Sequence, residues 1–249
     1  MLTHRAKTLV RRWFRPAPSE LVPSVRRALL LRPFIFEIWF RTRAVVLPIV
    51  HRPQELRHEG GTRWLVEPVL RYNIAHAAEF HRIRTELLMV VCRCVHAQDA
   101  SRTKVLCVGP RNEAEVLLLE QYGFAKNNIT AIDLFSYSNR ITCMDMHALD
   151  FEDSTFDVVY IAWTLTYSGD VEQACREAKR VLRSGGTLAI GFEEIVVTDP
   201  EWDLPQLRDL AQLFELLGED VGWVYWQHRR LIRQGTRADV TVVVRIDKE

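Results

Sequence analysis

Long apolar runs are missing from this chain. None reaches the roughly 18 uninterrupted apolar residues that a membrane-crossing helix needs. The nearest, residues 28–50, is broken by Arg32, Glu37, Arg41 and Arg43 and by Pro33 and Pro48. Cysteine is scarce, with five in 249 residues. The number is odd, and no paired CxxC clusters or Cys/His spacing suit zinc, so neither a disulfide framework nor a metal centre is expected. His76 and His81 lie five apart, off the i,i+4 spacing that brings two imidazoles to one metal. Arg11-Arg12-Trp13-Phe14 is followed by Arg15-Pro16-Ala17-Pro18 rather than an apolar run, which argues against an export signal. Glycine and proline, at 11 and 10, are too few for a low-complexity chain. These absences leave a globular protein expected in a reducing, cytoplasmic setting, long enough to bury its own core.

What is present is unevenly spread. The formal net charge is +1, yet residues 1–100 hold 17 Lys/Arg against 8 Asp/Glu and residues 101–249 hold 16 against 24. The two parts are therefore expected to be built and employed differently. Residues 1–60 form a basic, aromatic arm punctuated by proline, with Phe34, Ile35, Phe36, Ile38, Trp39 and Phe40 set among arginines. Two readings stand. The arm is either a surface-seeking segment whose arginines meet anionic lipid through residues 1–50, or a piece that packs on the main domain. Residues 61–100 read as a helical cap region, since Pro68 opens a stretch without Gly or Pro to about Gln98. Residues 101–249 read as the main domain.

From Lys104 short apolar runs alternate with helical stretches. Strands are expected at Val105–Val108, Ile129–Leu134, Ile141–Met146, Phe156–Trp163 and Thr187–Phe192, and again near Val221–Trp226 and Val240–Ile246. Helices are expected at Asn112–Tyr122, Val171–Leu182 and Leu204–Leu217. Apolar strands alternating with helices imply an α/β, doubly wound, mainly parallel sheet with helices on both faces. No clear helix joins the last two strands, so the final one is expected to be antiparallel, inserted or at an edge. Ligands of such sheets bind at the carboxyl ends of the strands. Two carboxylates, Asp133 and Asp145, stand at neighbouring strand tips and suit a ribose and an exocyclic amine.

Four stretches in order resemble one family. Lys104-Val105-Leu106-Cys107-Val108-Gly109 stands at a first strand and its turn, and Ile129-Thr130-Ala131-Ile132-Asp133-Leu134 at a second strand with its acid. Met144-Asp145-Met146-His147-Ala148-Leu149-Asp150-Phe151 follows. Ser154-Thr155-Phe156-Asp157-Val158-Val159 and Arg180-Val181-Leu182-Arg183-Ser184-Gly185-Gly186-Thr187-Leu188 complete the set. Residues 104–193 thus resemble the core of a class I S-adenosylmethionine-dependent methyltransferase of the small-molecule "type 11" kind. The resemblance implies a Rossmann-like, seven-stranded sheet. It implies S-adenosylmethionine as cofactor, bound by Gly109, Pro110, Arg111, Glu113, Asp133, Leu134, Asp145, Met146 and Trp163. Arg111 is expected to pair with the methionine carboxylate, Glu113 to face the amino group or sulfonium, and Trp163 to flank the sulfonium. Two departures sit at the first turn. Cys107 stands where the family has an acid, and Gly109-Pro110-Arg111-Asn112-Glu113 replaces its glycine series.

Other roles at the site stay open. Asn112 and Glu115 have the spacing of a capping box, which needs no ligand. Tyr167 is an acceptor-positioning phenol or a packing residue, and His147 is a general base only where it points inward. No residue is assigned as catalytic base. The expected activity is methyl transfer to a small or lipid-linked acceptor. The alternative is a catalytically inactive binding or scaffold protein. A dinucleotide oxidoreductase is excluded because the turn lacks G-x-G-x-x-G. Nucleic acid is disfavoured as partner because the arginines are interleaved with bulky apolar side chains.

Overall fold

Alternation within the strands decides the architecture. A computed structural model describes residues 35, 38–43, 46, 54–55, 82–195, 207–232 and 237–249. Most of the arm, and residues 61–81 of the expected helical cap region, lie outside the described residues. Seven strands form one sheet: β1 (Val105–Val108), β2 (Ile129–Asp133), β3 (Thr142–Cys143), β4 (Phe156–Ala162), β5 (Leu182–Ile195), β6 (Val221–Ile232) and β7 (Arg237–Ile246). Their spatial order is β3-β2-β1-β4-β5-β7-β6. β1 pairs in parallel with β2 and β4, as do β2 with β3 and β4 with β5. β7 runs antiparallel to both neighbours, β5 and β6. The last strand is thus inserted, not at the edge.

Successive strand residues point to opposite faces, and both faces are buried. Leu106, Val159, Ile161, Leu188, Ile190, Val242 and Val244 fill one core, shared with Ala174, Ala178 and Val181 of α3 (Val171–Val181) and Leu213 and Leu217 of α4 (Leu210–Leu217). Val105, Cys107, Val158, Tyr160, Ala189 and Val243 fill the other. There they meet Leu88, Met89 and Cys92 of α1 (Arg82–Val95) and Leu117 and Leu118 of α2 (Glu113–Gln121). α1 therefore lies flat on the sheet, and the Tyr160 hydroxyl donates to the Thr85 carbonyl at 3.1 Å. Its residues belong to the 61–100 region, so the sheet's packing draws on chain ahead of residue 101.

Several element boundaries differ from the sequence reading; β6 runs on to Ile232 and β7 starts back at Arg237. The third strand shrinks from Ile141–Met146 to Thr142–Cys143, because it pairs only with Ile132 and Asp133 at the tip of β2. Beyond it, Asp145 turns the chain by accepting the His147 amide at 2.9 Å. β5 begins at Leu182, ahead of the expected Thr187, and Gly185 takes φ +75° inside it. α4 starts at Leu210 because Asp209 caps it, accepting the Gln212 amide at 2.8 Å.

The C-terminus locks α3. The Lys248 ammonium donates to the carbonyls of Lys179 (3.0 Å), Arg180 (3.2 Å) and Leu182, and to the Ser154 hydroxyl (3.2 Å). A cation on the last carbonyls of a helix meets the negative end of its dipole. Lys248→Met is therefore expected to lower stability by about 1–2 kcal/mol, read as a lower urea midpoint with an unchanged slope.

The arm meets the domain at Phe40 and Arg43 and through Gln54–Glu55. Phe40 is buried, and residues 38–43 are helical. Gln54–Glu55 forms a short antiparallel ladder with Phe135–Ser136, directly after Asp133. No helix among the described residues is long and apolar enough to cross a membrane.

Candidate active site

The strand order reverses at β1, whose two neighbours β2 and β4 lead away in opposite directions. The crevice of a doubly wound sheet opens at such a point. The turn after β1 holds an unusual backbone. Gly109 has φ +68°, and its amide donates to the Ile132 carbonyl at 2.8 Å. A β-carbon added there would lie 2.1 Å from Thr164 Oγ1. Thr164, just beyond β4, has its hydroxyl 3.2 Å from the carbonyls of both Val108 and Gly109. The turn after β1 and the exit of β4 are thereby stitched together, and only glycine fits between them. Among the described residues three non-glycines have positive φ, and two lie at this site: Arg111 (35°) and Trp163 (57°). Such conformations persist where surrounding structure imposes them, and they cluster at functional sites.

Asp133 ends β2 beneath this turn. Its carboxylate accepts the Arg111 amide at 3.1 Å and the Phe135 amide at 3.3 Å. Burial pushes the carboxyl up to about 6, with the amides and the Arg111 charge pulling back. Leu134 follows, half-buried, and Pro110 is buried. Arg111 thus joins the first turn to the strand-tip acid through its backbone.

Glu113 is turned elsewhere. It is 2% exposed, and Arg43 of the arm grips it with two hydrogen bonds, Nε to Oε2 at 2.5 Å and Nη2 to Oε1 at 2.8 Å. The Ser138 hydroxyl also donates to Oε1. Burial pushes this carboxyl up, but the bonds from Arg43 and Ser138, with the Arg140 charge, outweigh it and leave it below its ordinary value. Neither Arg43 nor Ser138 was among the residues expected from sequence. Seventy residues separate Arg43 from Glu113, and no local pattern announces such a pair.

Asn112 caps α2 by accepting the Ala114 amide at 2.9 Å. Glu115 does not complete a capping box: the Asn112 amide donates to the Pro110 carbonyl, and Glu115 Oε2 accepts the Cys107 thiol at 3.8 Å. A carboxylate therefore stands beside Cys107. Burial pushes Glu115 up to about 8, with Arg111 lowering it and Asp133 raising it. The raised value means that folding favours the protonated acid. This stability is fully present below the ordinary value of about 4.5 and is lost as pH rises to about 8. Glu115→Gln is expected to stabilise the protein by about 2–4 kcal/mol at pH 9 and by little at pH 5, measured by chemical denaturation at both.

The third acid lies at the exit of β3. Asp145 Oδ1 accepts the His147 amide and, at 2.6 Å, its ring Nδ1. Met146 packs on the α3 side of the sheet. At the exit of β4 the Trp163 amide donates to the Gly191 carbonyl at 2.6 Å. A β-carbon on Gly191 would lie 2.9 Å from Trp163 Cζ3, so the indole is laid over β5. Tyr167 closes the short Leu165–Tyr167 turn that follows. The fold thus gathers Gly109, Pro110, Arg111, Asp133, Leu134, Asp145, Met146 and Trp163 at the carboxyl ends of four adjacent strands, while Glu113 faces the arm.

Residues 106–190 match the family model described as "Methyltransferase domain". Among curated proteins the chain is similar to the sterol 4-C-methyltransferase strm-1 of Caenorhabditis elegans, 37% identical over 64 residues. It is also similar to ribosomal RNA-processing protein 8 of Caenorhabditis briggsae, 38% identical over 66 residues. Each match spans 26% of this chain, and they cover 19% and 20% of those proteins, about a fifth of their length. Among solved structures, the N-methyltransferase NodS of Bradyrhizobium japonicum, in complex with S-adenosylhomocysteine, superposes with a TM-score of 0.50 at 15% identity. That likeness covers 66% of this chain and 87% of NodS, and it is a likeness of fold.

Proposed function

We propose that this chain, whose residues 106–190 carry a methyltransferase domain, transfers a methyl group from S-adenosylmethionine to a small or lipid-linked acceptor. One observation carries the reading: two carboxylates, Asp133 and Asp145, stand at adjacent strand tips beside a left-handed glycine turn. The donor set fits the nucleoside half of that cofactor. A carboxylate has about four acceptor sites. Asp133 uses two on backbone amides, and vicinal hydroxyls suit the rest. Asp145 suits an exocyclic amine. At the amino-acid end the fit rests on Arg111, whose guanidinium matches a carboxylate, since Glu113 is held by Arg43 and Ser138.

Bound there, the cofactor would supply an electrophilic methyl group on a sulfonium. The protein's part is to orient and to exclude water. Asp133 and Asp145 fix the nucleoside, and the segment Trp163–Tyr167 borders the space between cofactor and acceptor. No side chain is assigned as base, and a displacement with so good a leaving group needs little beyond positioning.

A lipid-linked acceptor at a membrane surface is the reading the arm supports. Ile35 and Ile38 are exposed while Phe40 is buried, and Arg41 is exposed beside them. Apolar and cationic side chains on one exposed turn suit an anionic lipid interface. The test is incubation with methyl-tritiated S-adenosylmethionine and either a polar metabolite extract or vesicles of total lipid. Label in the organic phase, with S-adenosylhomocysteine formed in step, is the expected result. Cofactor binding without turnover on either pool would instead favour the scaffold.

A further inference from the structure

Two residues beyond Asp145 runs a chain of hydrogen bonds that the cofactor reading leaves unused. His147 Nδ1 lies 2.6 Å from Asp145 Oδ1, and His147 Nε2 lies 2.7 Å from the Ser168 hydroxyl. The Ser168 oxygen accepts the Asp170 amide at 3.1 Å. The His147 carbonyl accepts Gln173 Nε2 at 2.9 Å. Ser168 is buried, and Asp170 is the N-cap of α3.

The protons follow from the partners. A carboxylate can only accept, so Nδ1 carries a hydrogen and donates to Asp145. In the neutral ring Nε2 then carries the lone pair and accepts the Ser168 hydroxyl proton, while the Asp170 amide takes one of the two lone pairs on Ser168. One neutral tautomer of His147 satisfies every group. The His147 amide and ring both fall on Oδ1 of Asp145. Two bonds on one oxygen set the direction of the carboxylate plane, and the ring that makes one of them is itself held from α3.

We propose that His147 is a positioning residue for nucleobase recognition: it aims the Asp145 carboxylate at the 6-amine of the cofactor's adenine, with Ser168 fixing the imidazole. This rests on the assignment of Asp145 to the adenine. The consequence is selectivity at one atom. An aimed carboxylate accepts from an amine and repels a carbonyl oxygen, whereas an unaimed one turns away from either and distinguishes them less. The link to Ser168 also ties the base-binding loop to the exit of β4, where the acceptor is proposed to sit.

The test compares two probes by calorimetric titration: S-adenosylhomocysteine, and S-inosylhomocysteine, in which oxygen replaces the 6-amine. Wild type is expected to prefer the adenosyl form by about 30-fold or more, the worth of a hydrogen bond to a charged group. His147→Ala keeps the backbone bond to Asp145 but loses the ring, and the preference should fall below about 5-fold. His147→Asn, whose amide nitrogen can stand near Nδ1, should restore most of it. His147→Gln, which can reach Ser168 but not Asp145, should not. A merely structural role would weaken both probes alike and leave their ratio unchanged. Tight adenosyl binding with an undiminished ratio in His147→Ala overturns this inference alone. A folded wild type that binds neither probe overturns the cofactor reading and this inference with it.

Discussion

Gly109→Ala is expected to abolish cofactor binding and to destabilise the fold. The added methyl would sit 2.1 Å from Thr164 Oγ1, 2.4 Å from its Cγ2 and 2.7 Å from its Cβ. All three atoms belong to a short, branched side chain that is hydrogen-bonded in place, so the backbone must move. The φ of +68° adds strain for any residue with a β-carbon. A loss of about 2–4 kcal/mol in stability follows from such overpacking. Affinity for S-adenosylhomocysteine should drop at least about 100-fold, because the same turn presents the Arg111 amide to Asp133. The double variant Gly109→Ala, Thr164→Gly removes the clash but not the strain. It should recover much of the stability and only part of the binding, read by thermal unfolding with calorimetry.

Asp133→Asn should weaken S-adenosylhomocysteine about 100-fold while the protein stays folded. The substitution keeps an acceptor for one backbone amide, sets a donor against the other, and takes from the ribose hydroxyls the acceptor sites of one charged oxygen. Loss of a hydrogen-bonded charge in a buried site is worth about 2–3 kcal/mol. The pH dependence carries a second signature. Burial raises the Asp133 carboxyl to about 6 from an ordinary 3.8. A raised carboxyl favours the protonated folded form. Its share of ligand-free stability is therefore complete below about 3.8 and fades as pH rises to about 6. Binding runs the other way, because the hydroxyls need the ionised form. Wild-type affinity should be flat above about pH 6 and fall by up to tenfold per unit below it, and Asp133→Asn should lack that dependence.

Most of this site was legible because its signals are local. Asp133 announces itself as an acid closing an apolar run, and Gly109 as a glycine after another. The helix after the first strand reveals its cap in Asn112. What escaped is long-range. Arg43 reaches Glu113 across the arm, and nothing in either neighbourhood encodes the other. The inserted β7 was one of several placements open to a hairpin, since its run Val240–Val244, apolar but for Thr241, suits any buried position. Ile141–Met146 looked like a full strand because its apolar residues continue past the pairing. Partner length, not propensity, ended it at Cys143. Glu115 was read for its spacing from Asn112, yet it turns inward to the small thiol of Cys107, where the strand offers no acid of its own.

The account stands most directly on one titration: the unmodified protein with S-adenosylhomocysteine at pH 8, above the value to which Asp133 is raised. Binding in the micromolar range, near −8 kcal/mol, is the predicted result. The absence of any heat from a protein shown to be folded would contradict it. The departures from the glycine series after Gly109 would then have closed the crevice, and the sheet would serve as a scaffold.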